Sequence, residues 1–247
     1  MTNSAFNGKE KIKVVAFDLD GTLTQHRSPL EEENRALLAQ LSKKYKLLMV
    51  GAGTCRRIFG QMGNFPIDII GNYGLQYAEY DKSISDIVLK EETVLPCDVE
   101  SVLQRADVFR KETGYIEYSG KPVEFHPSGS VTFPFLGTAA QIGDKLAFDP
   151  TREKRRALYP RFCELFPEFT VFVGGSSSYD MVPAPNDKAH ALDVYCRRVG
   201  LRHENVLYVG DDYEPGGNDY AVFVSDFPFV CTDDYKKTKD ILSFLNE

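Results

Sequence analysis

At 247 residues, with 43% hydrophobic and 26% charged side chains, the chain can bury one large core, or a core plus a smaller second domain. A formal net charge of -7 argues against nucleic acid as a partner, because phosphate backbones are held by basic faces. The start, from Met1 to Lys13, is polar and lacks an apolar signal core, and no run approaches the length of a membrane span, so no membrane association is expected. The cysteines (Cys55, Cys97, Cys163, Cys196 and Cys231) lie far apart and form no Cys-x-x-Cys pair. Free thiols in a reducing, cytoplasmic setting are therefore expected rather than a zinc site.

In chain order, Val14 to Phe17 is a short apolar run that reads as a buried strand. It stops at Asp18-Leu19-Asp20-Gly21-Thr22. A buried strand cannot carry two carboxylates into an apolar core, so these acids belong at the strand's exit. There, parallel sheets place their ligands. Two close carboxylates repel unless a cation or a shared proton relieves them, which points to a divalent metal with oxygen ligands, most simply Mg2+. Pro29 to Tyr45 is rich in helix formers, with Leu37, Leu38 and Leu41 on one face. A second strand, Leu47 to Val50, ends in Gly51-Ala52-Gly53-Thr54; a helix, Arg56 to Met62, leads to a third strand, Ile67 to Ile70. Alternating strands and helices predict a parallel sheet with crossover helices.

The pattern then changes. Leu75 to Val94 alternates like a hairpin, Asp98 to Thr113 reads as a helix capped by Asp98, and Pro122 to Phe125 and Ser130 to Phe135 read as extended. Arg152 to Phe166 reads as helical, and Phe169 to Val173 and Tyr179 to Val182 as strands. This middle third predicts a separate α+β unit. Alternation resumes with a helix from Asp187 to Val199, a strand from Val206 to Val209 ending in Gly210-Asp211-Asp212, a short helix, a strand from Phe229 to Cys231 and a final helix from Asp233.

Several strand ends thus carry residues able to do chemistry: Asp18 and Asp20, Gly53 and Thr54, and Asp211 with Asn218 and Asp219 beyond it, while Lys188 starts the helix after the insertion. Phosphoryl transfer to a carboxylate needs this set, since metal and lysine reduce the repulsion between the attacking oxygen and the phosphate, and N–H or hydroxyl donors hold the equatorial oxygens. Each piece has a plainer reading alone: Thr54 can cap a helix, Lys188 can be a surface charge, and Asp211-Asp212 a solvated loop. Likewise Phe133, Phe135, Tyr179 and His126 can line a pocket, but aromatics at alternating positions read more simply as core.

The motifs Asp18-Leu19-Asp20-Gly21-Thr22, Asn186-Asp187-Lys188 and Gly210-Asp211 through Pro215-Gly216-Gly217-Asn218-Asp219 resemble those of the haloacid dehalogenase (HAD) superfamily. Over most of its length the chain is most similar to the eukaryote-type phosphomannomutases of the large-cap branch, with Arg27 after the first motif and the run Gly174-Gly175 to Ser178, Asp180 and Lys188. The resemblance implies an α/β fold: a doubly wound parallel-sheet (Rossmann-like) HAD core from 1–82 and 185–247, with an inserted α+β cap over 83–184. It implies Asp18 as nucleophile, Asp20 as acid/base and Lys188 as the neutraliser of an aspartyl-phosphate. Mg2+ would be held by Asp18, the Asp20 carbonyl and Asp211, with Asp219 in support. Arg27, Gly53, Thr54 and Asn218 would serve the substrate, and Ser178 and Asp180 the sugar hydroxyls. The partner would be a small phosphorylated sugar, and since cap-mediated dimers occur in that family, a homodimer is admitted.

The departures shape the reading. Gly53 stands where the mutases carry Ser, so the loop is shifted or a backbone N–H holds the phosphate. Where they hold a second phosphate with cap arginines, this chain has His126, Thr138 and Lys145, and no arginine lies between Lys111 and Thr151. Arg suits bidentate phosphate recognition, so a sugar-phosphate phosphatase is expected, with a hexose-phosphate mutase as the alternative. A receiver-type signalling domain fits less well, because receivers place the acidic pair and the phosphorylated Asp on different strands and lack a large insertion.

Overall fold

The structure is a computed structural model that describes residues 8–246. The polar stretch expected from Met1 lies outside them as far as Asn7. In chain order the elements are β1 (Val14–Phe17), α1 (Glu32–Leu41), β2 (Lys46–Val50), α2 (Cys55–Gln61), β3 (Asp68–Gly71), β4 (Gln76–Asp81) and β5 (Asp86–Glu92). Then come α3 (Val99–Thr113), β6 (Glu124–Phe125), β7 (Val131–Pro134), α4 (Ile142–Phe148), α5 (Glu153–Leu165), β8 (Phe169–Phe172) and β9 (Ser178–Pro183). The chain closes with α6 (Lys188–Val199), β10 (Val206–Gly210), α7 (Tyr220–Phe223), β11 (Phe229–Cys231) and α8 (Thr238–Ile241).

The chain forms two units: one comprises the segment ending at Glu92, Lys188–Tyr213 and the segment from Asp219; the other comprises Thr93–Asp187 and Glu214–Asn218. The first is built on a seven-stranded sheet in the order β11-β10-β1-β2-β3-β4-β5. Strands β11, β10, β1, β2 and β3 are parallel, and β4 and β5 are antiparallel. All of β1 is buried, because both of its faces are covered. Val15 and Phe17 join Leu47, Met49, Leu207 and Val209 against α1 and α2, while Val14 and Ala16 join Leu48, Val50, Val206 and Tyr208 against α6. Strand alternation therefore assigns even-numbered β1 positions to the α6 face. Asp18 is the next even position.

The predicted division after residue 82 moves to Glu92. The β4–β5 hairpin extends the main sheet because Ala78 and Ile87 pack into one core and Tyr77 into the other. The loop Glu214–Asn218 groups instead with the inserted unit, where Gly216 accepts a bond from the Val173 N–H (2.8 Å) and Glu214 pairs with Arg156.

The inserted unit holds an antiparallel sheet, β6-β7-β9-β8. One face packs on α3 and α5 through Val102, Phe109, Phe162 and Phe166. Phe133, Phe135 and Tyr179 are buried there, so they are core and line no pocket. Phe109 meets Phe162 edge-on at 4.8 Å, a favoured aromatic geometry. The other face presents Thr132 and Asp180, and here Thr132 Oγ1 donates to Asp180 Oδ1 (3.1 Å) and meets His126 Nε2 (3.0 Å). Helix α4 was not predicted, and for a reason: Ile142 and Leu146 are 69% and 59% exposed, and only Phe148, at its end, packs on the core, so no apolar stripe marks it. Among the described residues no helix is long and apolar enough to cross a membrane.

His203 fastens α6 to the loop before β11: its Nδ1 meets Asp226 Oδ1 (2.5 Å), its Nε2 meets Asp193 Oδ1 (3.2 Å), and its ring stacks on Phe227 at 3.9 Å. Burial opposes the imidazolium, but the two carboxylates outweigh it and raise the pKa. A raised histidine pKa contributes stability that is present below the unfolded value, about 6.5, and is lost as pH climbs through the folded value. The melting temperature of wild type should therefore exceed that of His203→Gln most at mildly acid pH. A gap that grows from pH 6 to pH 8 would contradict this.

Candidate active site

The parallel register sets the site. Phe17 is level with Val209 and with Met49, so β10, β1 and β2 end together. Asp18 leaves β1 with its N–H bonded to the Val209 carbonyl (2.9 Å). On the α6 face it meets Lys188, the first residue of that helix, whose Nζ donates to Asp18 Oδ1 (2.6 Å). Lys188 is fully buried and Asp18 is 4% exposed. At the strand's exit Asp18 is buried, and its partnership with Lys188 makes that burial tolerable.

Lys188 Nζ also donates to Asp219 Oδ1 (2.7 Å). Asp219 Oδ1 takes a further bond from the Tyr208 hydroxyl (2.6 Å), and Oδ2 takes the N–H groups of Asp211 (3.1 Å) and Asp212 (3.0 Å). These four donors match the lone-pair capacity of a carboxylate. Asp219 thus ties the lysine, β10 and the following loop together. Burial opposes the Lys188 ammonium, but Asp18 and Asp219 outweigh it and hold its pKa above the usual lysine value.

Asp211 takes the Thr22 hydroxyl on Oδ1 (2.9 Å). It lies against Gly21, whose φ of +97° belongs to the left-handed region; a Cβ there would sit 2.3 Å from Asp211 Oδ2. Glycine is therefore needed both for the turn and for the carboxylate's approach. Asp18, Asp211 and Asp219 each bring an oxygen within 4.8 Å of the others. Burial, with the charges of Asp219 and Asp211, pushes Asp18 well above the usual carboxylate range despite Lys188. Burial and Asp219 push Asp211 up to about 6. Among the described residues nothing donates to Asp18 Oδ2 or Asp211 Oδ2. Crowded, under-bonded carboxylate oxygens of this kind fit a hard divalent cation, so the residues present suit Mg2+.

Asp20 is held differently. Its Oδ1 accepts from the Arg27 N–H (2.7 Å), Gln61 Nε2 (2.6 Å) and Thr24 Oγ1 (3.5 Å). Its Oδ2 faces Arg57 Nη1 at 3.9 Å and His26 Nδ1 at 4.0 Å. Arg27, predicted for the substrate, thus reaches Asp20 through its backbone, at φ +56°. Thr54 caps α2, accepting the Arg57 N–H (3.2 Å), which is the plainer of its two readings. Gly53 lies in the loop between β2 and α2. Ser178, Asp180 and Asn218 belong to the inserted unit, where the Ser178 hydroxyl donates to the Gly174 carbonyl (3.1 Å). Sequence reasoning missed Tyr208, Gln61 and Arg57. Tyr208 sits within an apolar strand, and nothing in a helix sequence marks Gln61 or Arg57 as facing Asp20.

Residues 115–243 match the family model described as eukaryotic phosphomannomutase. The chain belongs to that family. Over 243 residues it is 27% identical to a phosphomannomutase of Saccharomyces cerevisiae, covering 92% of this chain and 91% of that one. It is 25% identical over 237 residues to phosphomannomutase 1 of Homo sapiens, covering 90% and 87%. Among solved structures it resembles an IMP-bound IMP-nucleotidase mutant of Plasmodium falciparum, with TM-score 0.68 and 13% identity over 95% of this chain and 68% of that one. It also resembles a haloacid dehalogenase-like hydrolase from Bacteroides thetaiotaomicron, with TM-score 0.54 and 15% identity over 94% and 98%. These structural likenesses bear on the fold, which is the HAD fold with an inserted cap. The chain is an enzyme of the HAD phosphatase and phosphomutase type.

Proposed function

We propose that the enzyme transfers a phosphoryl group of a hexose phosphate through Asp18, as a mutase of the phosphomannomutase kind. The observation that carries the chemistry is the buried Asp18–Lys188–Asp219 chain beside Asp211, at the common end of β1 and β10. Asp18 Oδ1 is held by Lys188, which leaves Oδ2 to attack phosphorus in line. Three donors hold Asp20 Oδ1, so Oδ2 is the atom through which a proton passes to the leaving sugar oxygen. It then takes a proton from the second acceptor, which is a sugar hydroxyl in a mutase and water in a hydrolase. Mg2+, held by Asp18, Asp211 and the Asp20 carbonyl, would supply charge neutralisation at the transferring phosphoryl. Asp219, its acceptor capacity already filled, would orient Lys188. Ser178, Asp180 and Asn218 are assigned to the sugar.

The mutase reading rests on the family relationship. One observation favours hydrolysis. The positions expected to bind a second phosphate are His126, bonded to Thr132, Thr138, whose Oγ1 accepts the Lys121 N–H (2.9 Å), and Lys145, bonded to the Thr138 carbonyl (3.1 Å). Two arginines flanking this run are committed to the fold: Arg110 donates to the carbonyls of Tyr115, Phe135, Pro122 and Pro134, and Arg155 pairs with Asp149 (3.0 Å) while both are buried. Phosphorus NMR on mannose 1-phosphate with a hexose bisphosphate activator separates the two. The 6-phosphate as main product supports the mutase; inorganic phosphate as main product replaces it with the hydrolase. Turnover of neither this substrate nor a panel of hexose monophosphates would overturn both.

A further inference from the structure

The cations beside the site's carboxylates differ in how far the fold uses their donors. Lys188 spends its ammonium on Asp18 and Asp219. Arg57, on the first turn of α2, does not. Its Nη1 donates to Gln61 Oε1 (2.9 Å), and Gln61 Nε2 in turn donates to Asp20 Oδ1 (2.6 Å). The guanidinium stands 3.9 Å from Asp20 Oδ2, too long for a direct bond, and its side chain is 45% exposed. Among the described residues Nε and Nη2 make no hydrogen bond.

Gly53 is what lets this side chain lie where it does. A Cβ on residue 53 would sit 2.2 Å from Arg57 Nε and 2.3 Å from Nη2. Gly53 has no left-handed φ, so its backbone would admit other residues. The atoms nearest that Cβ all belong to the guanidinium, which would have to move aside to admit one. The vacant side-chain position after β2 is thus filled by the N–H edge of an arginine one helical turn onward. That edge is a rigid fork matched to phosphate oxygens.

From this geometry we infer that Arg57, seated over Gly53 and held by Gln61, binds the transferring phosphoryl group in place of a hydroxyl from residue 53. The inference deepens the proposed function and rests on it for the identity of the group bound. It answers the question posed by Gly53 with a third donor: a guanidinium from the next helix. Arg57 also reaches Asp20 through Gln61, so the phosphoryl donor and the acid/base are positioned by a shared side chain.

Calorimetric binding of inorganic phosphate in the presence of Mg2+ tests this, with kcat/KM alongside. Arg57→Ala should weaken phosphate about tenfold or more and lower kcat/KM about 100–1,000-fold, the scale of one lost transition-state donor. Its melting temperature should stay unchanged, because the side chain is nearly half exposed. Gly53→Ser should weaken phosphate in the wild-type background, since its Cβ displaces the guanidinium, but should cost nothing further in Arg57→Ala. That non-additivity is what a merely structural glycine would not show. Undiminished phosphate binding by Arg57→Ala, no measurable binding by wild type, or an equal cost of Gly53→Ser in both backgrounds would overturn the inference. Arg57-dependent phosphate binding without turnover of any sugar phosphate would overturn the proposed activity and leave the role of Arg57 standing.

Discussion

Asp18→Asn is expected to abolish turnover, with a loss on the order of ten-thousandfold or more, because the amide cannot form the covalent intermediate that divides the reaction. The substitution is nearly isosteric, and Asp18 is 4% exposed in a packed site. It removes a carboxylate whose burial is unfavourable and leaves Lys188 its second partner, Asp219, at 2.7 Å. Folding should therefore survive. The melting temperature should stay close to that of wild type, and a sugar phosphate that binds wild type should still bind the variant. Loss of binding and folding together with activity would point to a structural Asp18. Substantial residual turnover in a well-folded variant would remove it as nucleophile.

Lys188→Met is expected to damage stability and activity at once. The ammonium is fully buried between two carboxylates, and removing one member of a buried ionic cluster strands the others, at a cost of about 3–5 kcal/mol. For a chain of this size that lowers the melting temperature by roughly 6–20 °C. Turnover should fall on the order of a thousandfold as well, since the charge opposite the developing aspartyl-phosphate is gone. The deficit should depend on pH. Asp18 already sits well above the usual carboxylate range because of burial; without the lysine it would take up a proton more readily still. A carboxylate raised in the folded state favours folding at low pH, so the gap to wild type should narrow on acidification. Calorimetric melting across pH 5 to 8 measures this. An unchanged melting temperature, or a gap that widens toward pH 5, would contradict the buried-cluster account.

The core of the site was legible in sequence because strand alternation and motif order are one-dimensional signals. The run Val14 to Phe17, stopping at Asp18, announces a strand covered on both faces and a carboxylate at its end. Asp211 was placed in the same way, by the end of an apolar run at Gly210. Helix starts were legible where a capping residue precedes an apolar face, as at Asp98, whose Oδ1 accepts the Ser101 N–H (3.1 Å). Legibility fails where the partner comes from another element. That Thr54 caps its helix depends on three-dimensional context, which its sequence neighbours do not supply. Gln61 and Arg57 reach Asp20 from α2 across the first-motif loop, a contact that no spacing encodes. The β4–β5 hairpin alternates like any exposed hairpin, and only the burial of Tyr77 and Ala78 shows it to be an extension of the main sheet. Its polar outer positions suggested a domain boundary some ten residues too early.

The central claim is that Asp18 takes phosphorus covalently. Rapid acid quench during turnover of a hexose phosphate, then borohydride reduction, converts an acyl phosphate on aspartate to homoserine, and peptide mass spectrometry locates the change. The account predicts homoserine at position 18 in wild type and none in Asp18→Asn. Reduction at another carboxylate, or none at all while the enzyme is turning over, would contradict it.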